Sequence, residues 1–403
     1  MDEAKAGAGA RCSRGGVDMR VAVVGGNLQG VEAAYLARKA GWEVLLLDRD
    51  ADVPASGLCS RFAQVDVTRD AGTARLLEGV DWILPALENA EALAALEEWS
   101  RTARVPMAFD PAAYALSSSK LESNRLFARL GLPAPRRWPE CRLPVVVKPD
   151  RGSGSRGVRI VSTLGQLHAV LEQSGEQAPP VVEEYLAGPS FSIEVTGEPG
   201  RYVPLQVTDL HMDAGCDCKR VSAPSVLPGE LVEEFERMAV AVAEALRLKG
   251  VMDLEVILHD GRLKILEIDA RLPSQTPTVV YWSTGINMVE LLGGLFAPGM
   301  PVSAPNSAQP RSVLYEHVRV MEESMEIAGE HIMSGAGPLR LASGFFGADE
   351  AITSHREGAS DWVATLIFSG PSPEEVLVRR WKTLESIRKF ACLDEIVDTF
   401  PSF

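Results

Sequence analysis

Residues 251–278 read VMDLEVILHDGRLKILEIDARLPSQTPT, and the spacing of apolar and acidic positions in this stretch decides the fold. Glu255 sits among Leu254, Val256, Ile257 and Leu258, the turn His259-Asp260-Gly261 follows, and residues 263–268 lead into Glu267 and Asp269. An Asp-Gly pair between two such runs predicts a β-hairpin with acids on both arms. Period-two alternation puts Glu267 and Asp269 on one face, and closing the hairpin brings Glu255 near that face. Three clustered carboxylates repel one another unless a cation sits among them, and carboxylate oxygens suit Mg²⁺, which also keeps places for phosphate oxygens. Arg271, two residues past Asp269, falls on the same side and offers a planar fork to a phosphate or carboxylate. Any one of these acids taken alone reads equally as a solvent-facing residue of an edge hairpin. A strand that is otherwise apolar and ends Glu-x-Asp-x-Arg favours the metal site.

The chain has 403 residues, 46% of them hydrophobic, which is enough for two or three packed domains. A net charge of −15 with no basic stripe excludes nucleic acid as the main partner. The six cysteines, at 12, 59, 141, 216, 218 and 392, form no CxxC pair and have no histidine at zinc-ligand spacing. They read as reduced thiols of a cytoplasmic protein. Cys216-Asp217-Cys218 is the one close pair, and two thiols without further ligands read as ordinary loop residues. No apolar run is long enough to cross a bilayer, so no membrane partner is expected. Residues 1–18, rich in Ala and Gly and without the apolar core of a secretory signal, read as a disordered tail.

From residue 20 the chain reads as a buried strand, a glycine-rich turn, a helix over 31–40 and a strand over 43–48. Gly25-Gly26-x-x-x-Gly30 is not GxGxxG, so a structural or small-substrate role stands ahead of bound NAD. Strands at 80–85 and 105–109 complete a parallel α/β unit, with Glu88-Asn89 at a strand's C-terminal end, where open α/β sheets bind ligands. A helix over 119–130 follows. Residues 143–161, LPVVVKPDRGSGSRGVRIV, then give a strand ending in Lys148, a Gly/Ser loop and a second strand. Small residues let backbone amides crowd round a phosphate, and a lysine that ends an apolar strand needs an anionic partner. Residues 181–186, VVEEYL, make another strand, whose backbone groups at 183–186 suit an adenine edge; without context it is simply a strand. Further on, 286–295 and 373–390 read as helices and 363–368 as a strand.

An α/β unit, a lysine, a strand-Lys-Gly/Ser loop, a Glu-Glu linker and a Glu…Glu-x-Asp-x-Arg hairpin occur here in the order of the ATP-grasp ligases. The resemblance runs from Met19 onward. Two positions depart from the usual pattern: Asp269 stands where most members carry Asn, and Pro189-Ser190 follows Gly188 where many place a ribose-binding Glu. Within the superfamily, VVGGNLQGVEAAYLARKAG, GVMDLEVIL, LEIDARLPSQTPTVVYWSTGIN and YEHV look like the branch that joins 3-methyl-D-ornithine to L-lysine in pyrrolysine biosynthesis.

That resemblance implies an α/β ATP-grasp fold with an N-terminal Rossmann-like domain over 19–117, a lid over 118–187 and a C-terminal α+β domain over 188–403. It implies ATP with adenine on Glu183, Glu184, Tyr185 and Leu186 and phosphates at Lys120, Lys148, Ser153, Ser155 and Gly157. Glu255, Glu267 and Asp269 would hold two Mg²⁺ ions, with Mn²⁺ as the substitute, and Arg271 would stabilise an acyl phosphate as the catalytic cation. Asp253, Arg271, Ser274, Gln275 and Thr276 would hold a 3-methyl-D-ornithine or D-ornithine donor, and Leu28, Gln29 and Glu88 would face the L-lysine acceptor. A homodimer is compatible with this reading. The alternatives that stay open are another ATP-grasp amino-acid ligase, a carboxylase, a non-catalytic nucleotide sensor and an NAD-dependent dehydrogenase.

Overall fold

A computed structural model describes residues 19–69, 75–152, 154–155, 157–173, 179–297 and 310–401. The tail of residues 1–18 and Ser153 lie outside the described residues. The N-terminal unit is a four-stranded parallel sheet in the order Arg61–Gln64, Glu43–Asp48, Arg20–Val24, Trp82–Pro85. Its first helix, Leu28–Lys39, begins three residues earlier than the apolar pattern indicates, because Asn27 caps it by accepting the Leu28 amide. Leu28 and Gln29 thereby become first-turn residues at the sheet's C-terminal edge. The strand expected over 105–109 shrinks to a single bridge between Ile83 and Met107. Pro106 has no N–H to extend a ladder, and by Asp110 the chain has turned to cap the helix Pro111–Ser117.

Ser119 caps the next helix, Lys120–Leu130, and Gly131 closes it with a left-handed φ of 65°. A three-stranded antiparallel sheet follows, ordered Arg159–Val161, Val145–Lys148, Val181–Glu184, backed by the helix Leu164–Gln173. The largest sheet has twelve strands. Its edge is the predicted hairpin, Gly250–His259 and Arg262–Asp269, which pairs inward to Ser190–Glu198. The helix Pro373–Phe390 and the strand Trp362–Gly370 contain the segments expected there.

One hydrophobic cluster joins the N-terminal unit to the large sheet: Tyr35 and Leu36 pack with Val279, Val280 and Met288. The contact is also polar. The Tyr35 hydroxyl donates to Glu350 at 2.7 Å and accepts from Trp282 Nε1 at 2.8 Å, and Lys39 pairs with Glu350 at 2.7 Å. Two buried walls are thus fixed against each other, and the space between their strand ends is the cleft described next. Among the described residues no helix is long and apolar enough to cross a membrane.

Candidate active site

The turn at Asp260-Gly261 has φ of 49° and 72°, and His259 pairs with Arg262 across it. Counted regularly from that turn, Glu255 would stand opposite Leu266 and point away from Glu267. The register shifts between Glu255 and Val256, so Val256 pairs with Ile265 and Glu255 with Glu267. This one-residue bulge turns the outer half of the strand over, leaving Leu263, Ile265 and Ile268 in the core and Glu267 and Asp269 on the other face.

Pairing with Ser190–Glu198 extends the face into two cross-strand rows, Ser192–Glu255–Glu267 and Glu194–Asp253–Asp269. Directly opposed side chains share a face, so five carboxylates crowd one patch of sheet. Burial raises the Glu255 carboxyl to about 8, with Glu267 and Asp269 adding repulsion. Burial also raises Asp269 to about 7, against the pull of Arg271, and holds Asp253 well above the usual carboxylate range. Asp253 Oδ1 and Asp269 Oδ1 are buried without a hydrogen-bond partner. An all-oxygen set with unspent acceptors and suppressed ionisation fits a hard divalent cation. The protein's own cations fill part of that role: Lys120 pairs with Glu267 at 2.8 Å and Arg271 with Asp269 at 2.7 Å.

Arg271 also reaches Glu88, at 2.6 Å, and Glu88 accepts from Gln29 Nε2 at 3.1 Å. The guanidinium therefore bridges the hairpin to the N-terminal unit, while its buried Nε has no partner and remains available to an anion. The glycine-rich turn is built for close packing: a Cβ on Gly25 would lie 2.3 Å from the Ala86 carbonyl oxygen. Asp48, where a dinucleotide fold offers an acid to a ribose, instead accepts the Gly26 amide at 2.6 Å. That arrangement speaks against the dehydrogenase reading.

A cleft of about 650 Å³, the size of a small-molecule site, runs between these walls. It is lined by Leu28, Gln29, Glu88, Ser155, Asp253, Glu255, Glu267, Asp269, Arg271, Ser274, Gln275 and Thr276. Among the described residues, the remaining expected nucleotide contacts sit outside that lining. Lys120 donates to the Gly152 carbonyl at 2.7 Å as well as meeting Glu267. Lys148 finds its anion within the protein, in a buried ion pair with Glu183 on the neighbouring strand. Glu184 is held by Arg136 and Lys264, and the amides of Glu184 and Tyr185 already donate to Arg136 and Pro144 carbonyls, at 2.8 and 3.2 Å. Leu186 is buried, and Gly152, Gly154, Ser155 and Gly157 all have a positive φ. Ser155 Oγ donates to the Cys216 carbonyl at 2.6 Å, so the Gly/Ser loop touches the large sheet's rim.

Three acids here escaped the sequence reading. Glu330 lines the cleft beside Ser274 and Gln275, and burial raises its carboxyl. Glu194 is 0% exposed, behind the cleft lining, and burial raises it to about 7. Glu32 lies on the helix Leu28–Lys39 and is buried against the same loop. Asp213, Asp217 and His331 also cluster within ligand distance of one another. Three of their four carboxylate oxygens accept from the amides of Gly215, Asp217, Gly329 and His331 and meet the His331 ring, which makes the group a clasp between two loops.

A family profile described as the ATP-grasp domain matches residues 117–275. The 3-methyl-D-ornithine–L-lysine ligase of Methanosarcina mazei is 33% identical over 91% of this chain and 95% of its own length. That of Methanosarcina acetivorans is 35% identical over 88% and 94%. The fold is shared with a biotin carboxylase–β,γ-ATP complex from Campylobacter jejuni, at a TM-score of 0.72 and 14% identity, covering 91% of each chain. The chain therefore belongs to the ATP-grasp family of 3-methyl-D-ornithine–L-lysine ligases.

Proposed function

We propose that the protein uses ATP to join the carboxylate of 3-methyl-D-ornithine, or of D-ornithine, to the ε-amine of L-lysine. The observation that carries this reading is the surplus of acids. Glu255, Glu267 and Asp269 account for a metal site, and the cleft still presents Asp253 and Glu330. A buried carboxylate without a counter-charge is costly, and two cationic amino acids supply those counter-charges. The name carried by the Methanosarcina relatives fits that requirement.

In this reading the chain divides into an N-terminal domain over 19–117, a lid over 118–187 and a C-terminal domain over 188–403. ATP lies between the last two, with adenine at Glu183–Leu186 and phosphates at Lys120, Lys148 and the loop bearing Ser153, Ser155 and Gly157. Glu255, Glu267 and Asp269 would hold two Mg²⁺ ions, which would supply positive charge to offset that of the transferring phosphate. The donor carboxylate attacks the γ-phosphorus, forming an acyl phosphate and releasing ADP. The lysine ε-nitrogen then attacks the acyl carbon, inorganic phosphate leaves, and the amine gives up a proton as the amide forms. Arg271 lies against Glu88 and Asp269, with Nε unspent, and stabilises the charge on the acyl phosphate. Asp253 and the loop over 271–276 hold the donor. Leu28, Gln29 and Glu88 hold the acceptor. The testing experiment measures phosphate released from ATP with D-ornithine and L-lysine each omitted in turn. Release that does not depend on both amino acids would overturn the proposal.

A further inference from the structure

Glu32 is 1% exposed and takes no place in the cleft lining, yet it acts on residues that do line it. Its Oε1 accepts the amide of Thr278 at 2.6 Å, in the first turn of the helix Thr276–Thr284. The residue before that helix, Gln275, sits at φ 69° and ψ −61°, and the Thr276 amide donates to the Ser274 carbonyl at 2.8 Å. These values describe a γ-turn of the strained form, rare for a residue with a side chain. Such a conformation persists only where its surroundings over-determine it, and it collects at sites where a ligand needs it. Ser274, Gln275 and Thr276, which form the turn, all face the cleft.

Part of the restraint comes from the N-terminal unit, beside the bonds that the Glu330 side chain makes to Ser274 and Gln275. Glu32 projects from the helix whose first turn carries Leu28 and Gln29, so one rigid element carries the acceptor side and grips the donor side. Burial raises the Glu32 carboxyl to about 7, opposed by the amides of Thr278 and Gln275. Glu32 is the one acid in a stretch of the helix buried throughout, Gly30 to Ala37, where a carboxyl is costly to bury without the partners it holds.

We propose that Glu32 is a positioning residue for the donor amino acid, holding the Ser274–Gln275–Thr276 turn in its strained form through the Thr278 amide. This inference rests on the ligase reading above. The test compares Glu32→Asp, which keeps the charge and loses the reach to the Thr278 amide, with Glu32→Gln, which keeps an acceptor at the same reach. KM for D-ornithine and KM for ATP are measured on each variant, together with the unfolding midpoint. Glu32→Asp is expected to raise the D-ornithine KM about tenfold, the equivalent of one lost hydrogen bond to a charged group, with the ATP KM unchanged. Glu32→Gln is expected to stay within about threefold of wild type. A lower unfolding midpoint in Glu32→Asp with both KM values unmoved would make Glu32 a structural anchor only and overturn the proposal. Equal rises in both KM values would do the same. Wild-type protein that releases no donor-dependent phosphate would remove the ligase reading and this inference with it.

Discussion

Removing divalent metal turns the carboxylate cluster against the fold as pH rises. In the metal-free protein Glu255 holds its proton up to about 8, against an ordinary value of 4.5, and Asp269 up to about 7, against 3.8. Between those limits the folded state carries protons that the unfolded chain has released, so unfolding free energy falls with increasing pH. A tenfold difference in proton affinity between folded and unfolded chain is worth about 1.4 kcal/mol, so Glu255 alone corresponds to on the order of 3–5 kcal/mol once pH passes about 8. Denaturant unfolding in EDTA should therefore show a midpoint that drops steadily from about pH 5 to about pH 8. Mg²⁺ with ADP should restore the midpoint and flatten the slope, because a cation among the acids stabilises their ionised forms. Glu255→Gln removes one of the titrating groups, so the metal-free variant should be the more stable protein at the upper end of this window. A metal-free midpoint that is flat or rises over the window, or a Glu255→Gln slope identical to wild type, would refute the reasoning.

Glu267→Gln should abolish ligation while leaving the fold intact, since it keeps volume and removes a charge proposed to hold metal, though it also takes the ion-pair partner of Lys120; Asp269→Asn should be milder, and steady-state rates at saturating Mg²⁺ check both. Lys148→Met should leave Glu183 buried and uncompensated in the three-stranded sheet, at a cost of about 3–5 kcal/mol. Faster amide exchange along Val181–Glu184 would report it, and unchanged exchange would contradict it. Asp253→Ala should raise the KM for D-ornithine far more than the KM for ATP; similar rises in both would remove Asp253 from the donor site.

The hairpin was legible because its signals are local: the Asp260-Gly261 turn, alternating apolar residues, and acids at fixed offsets from Arg271. Its register was not. A bulge is a one-residue event set by which side chains the core accepts, and Leu263, Ile265 and Ile268 all enter the core only if the ladder slips by one. Glu330 reaches the cleft from a segment separated from the hairpin, among the described residues, by two helices and a strand pair, a juxtaposition made by the sheet and not by local pattern. Glu32 did leave a trace, as the only charged residue in GVEAAYLA. The helix start at Leu28 was also readable in principle, since Asn27 is a strong capping residue before an apolar run. The lysine at 148 called for an anion, and the sequence order alone does not tell a phosphate from Glu183, whose strand pairs beside it.

The most direct test of the account is the product itself. The protein is incubated with ATP, Mg²⁺, D-ornithine and L-lysine, and the dipeptide is fragmented in a mass spectrometer, with L-ornithine as the comparison donor. The account predicts ADP, phosphate and an amide on the lysine ε-nitrogen, with L-ornithine a poor donor. In the proposed arrangement Arg271 fixes the carboxylate against the γ-phosphate, so inverting the α-carbon would leave the α-ammonium unpaired. An α-linked product, or equal rates with both ornithine enantiomers, would contradict it.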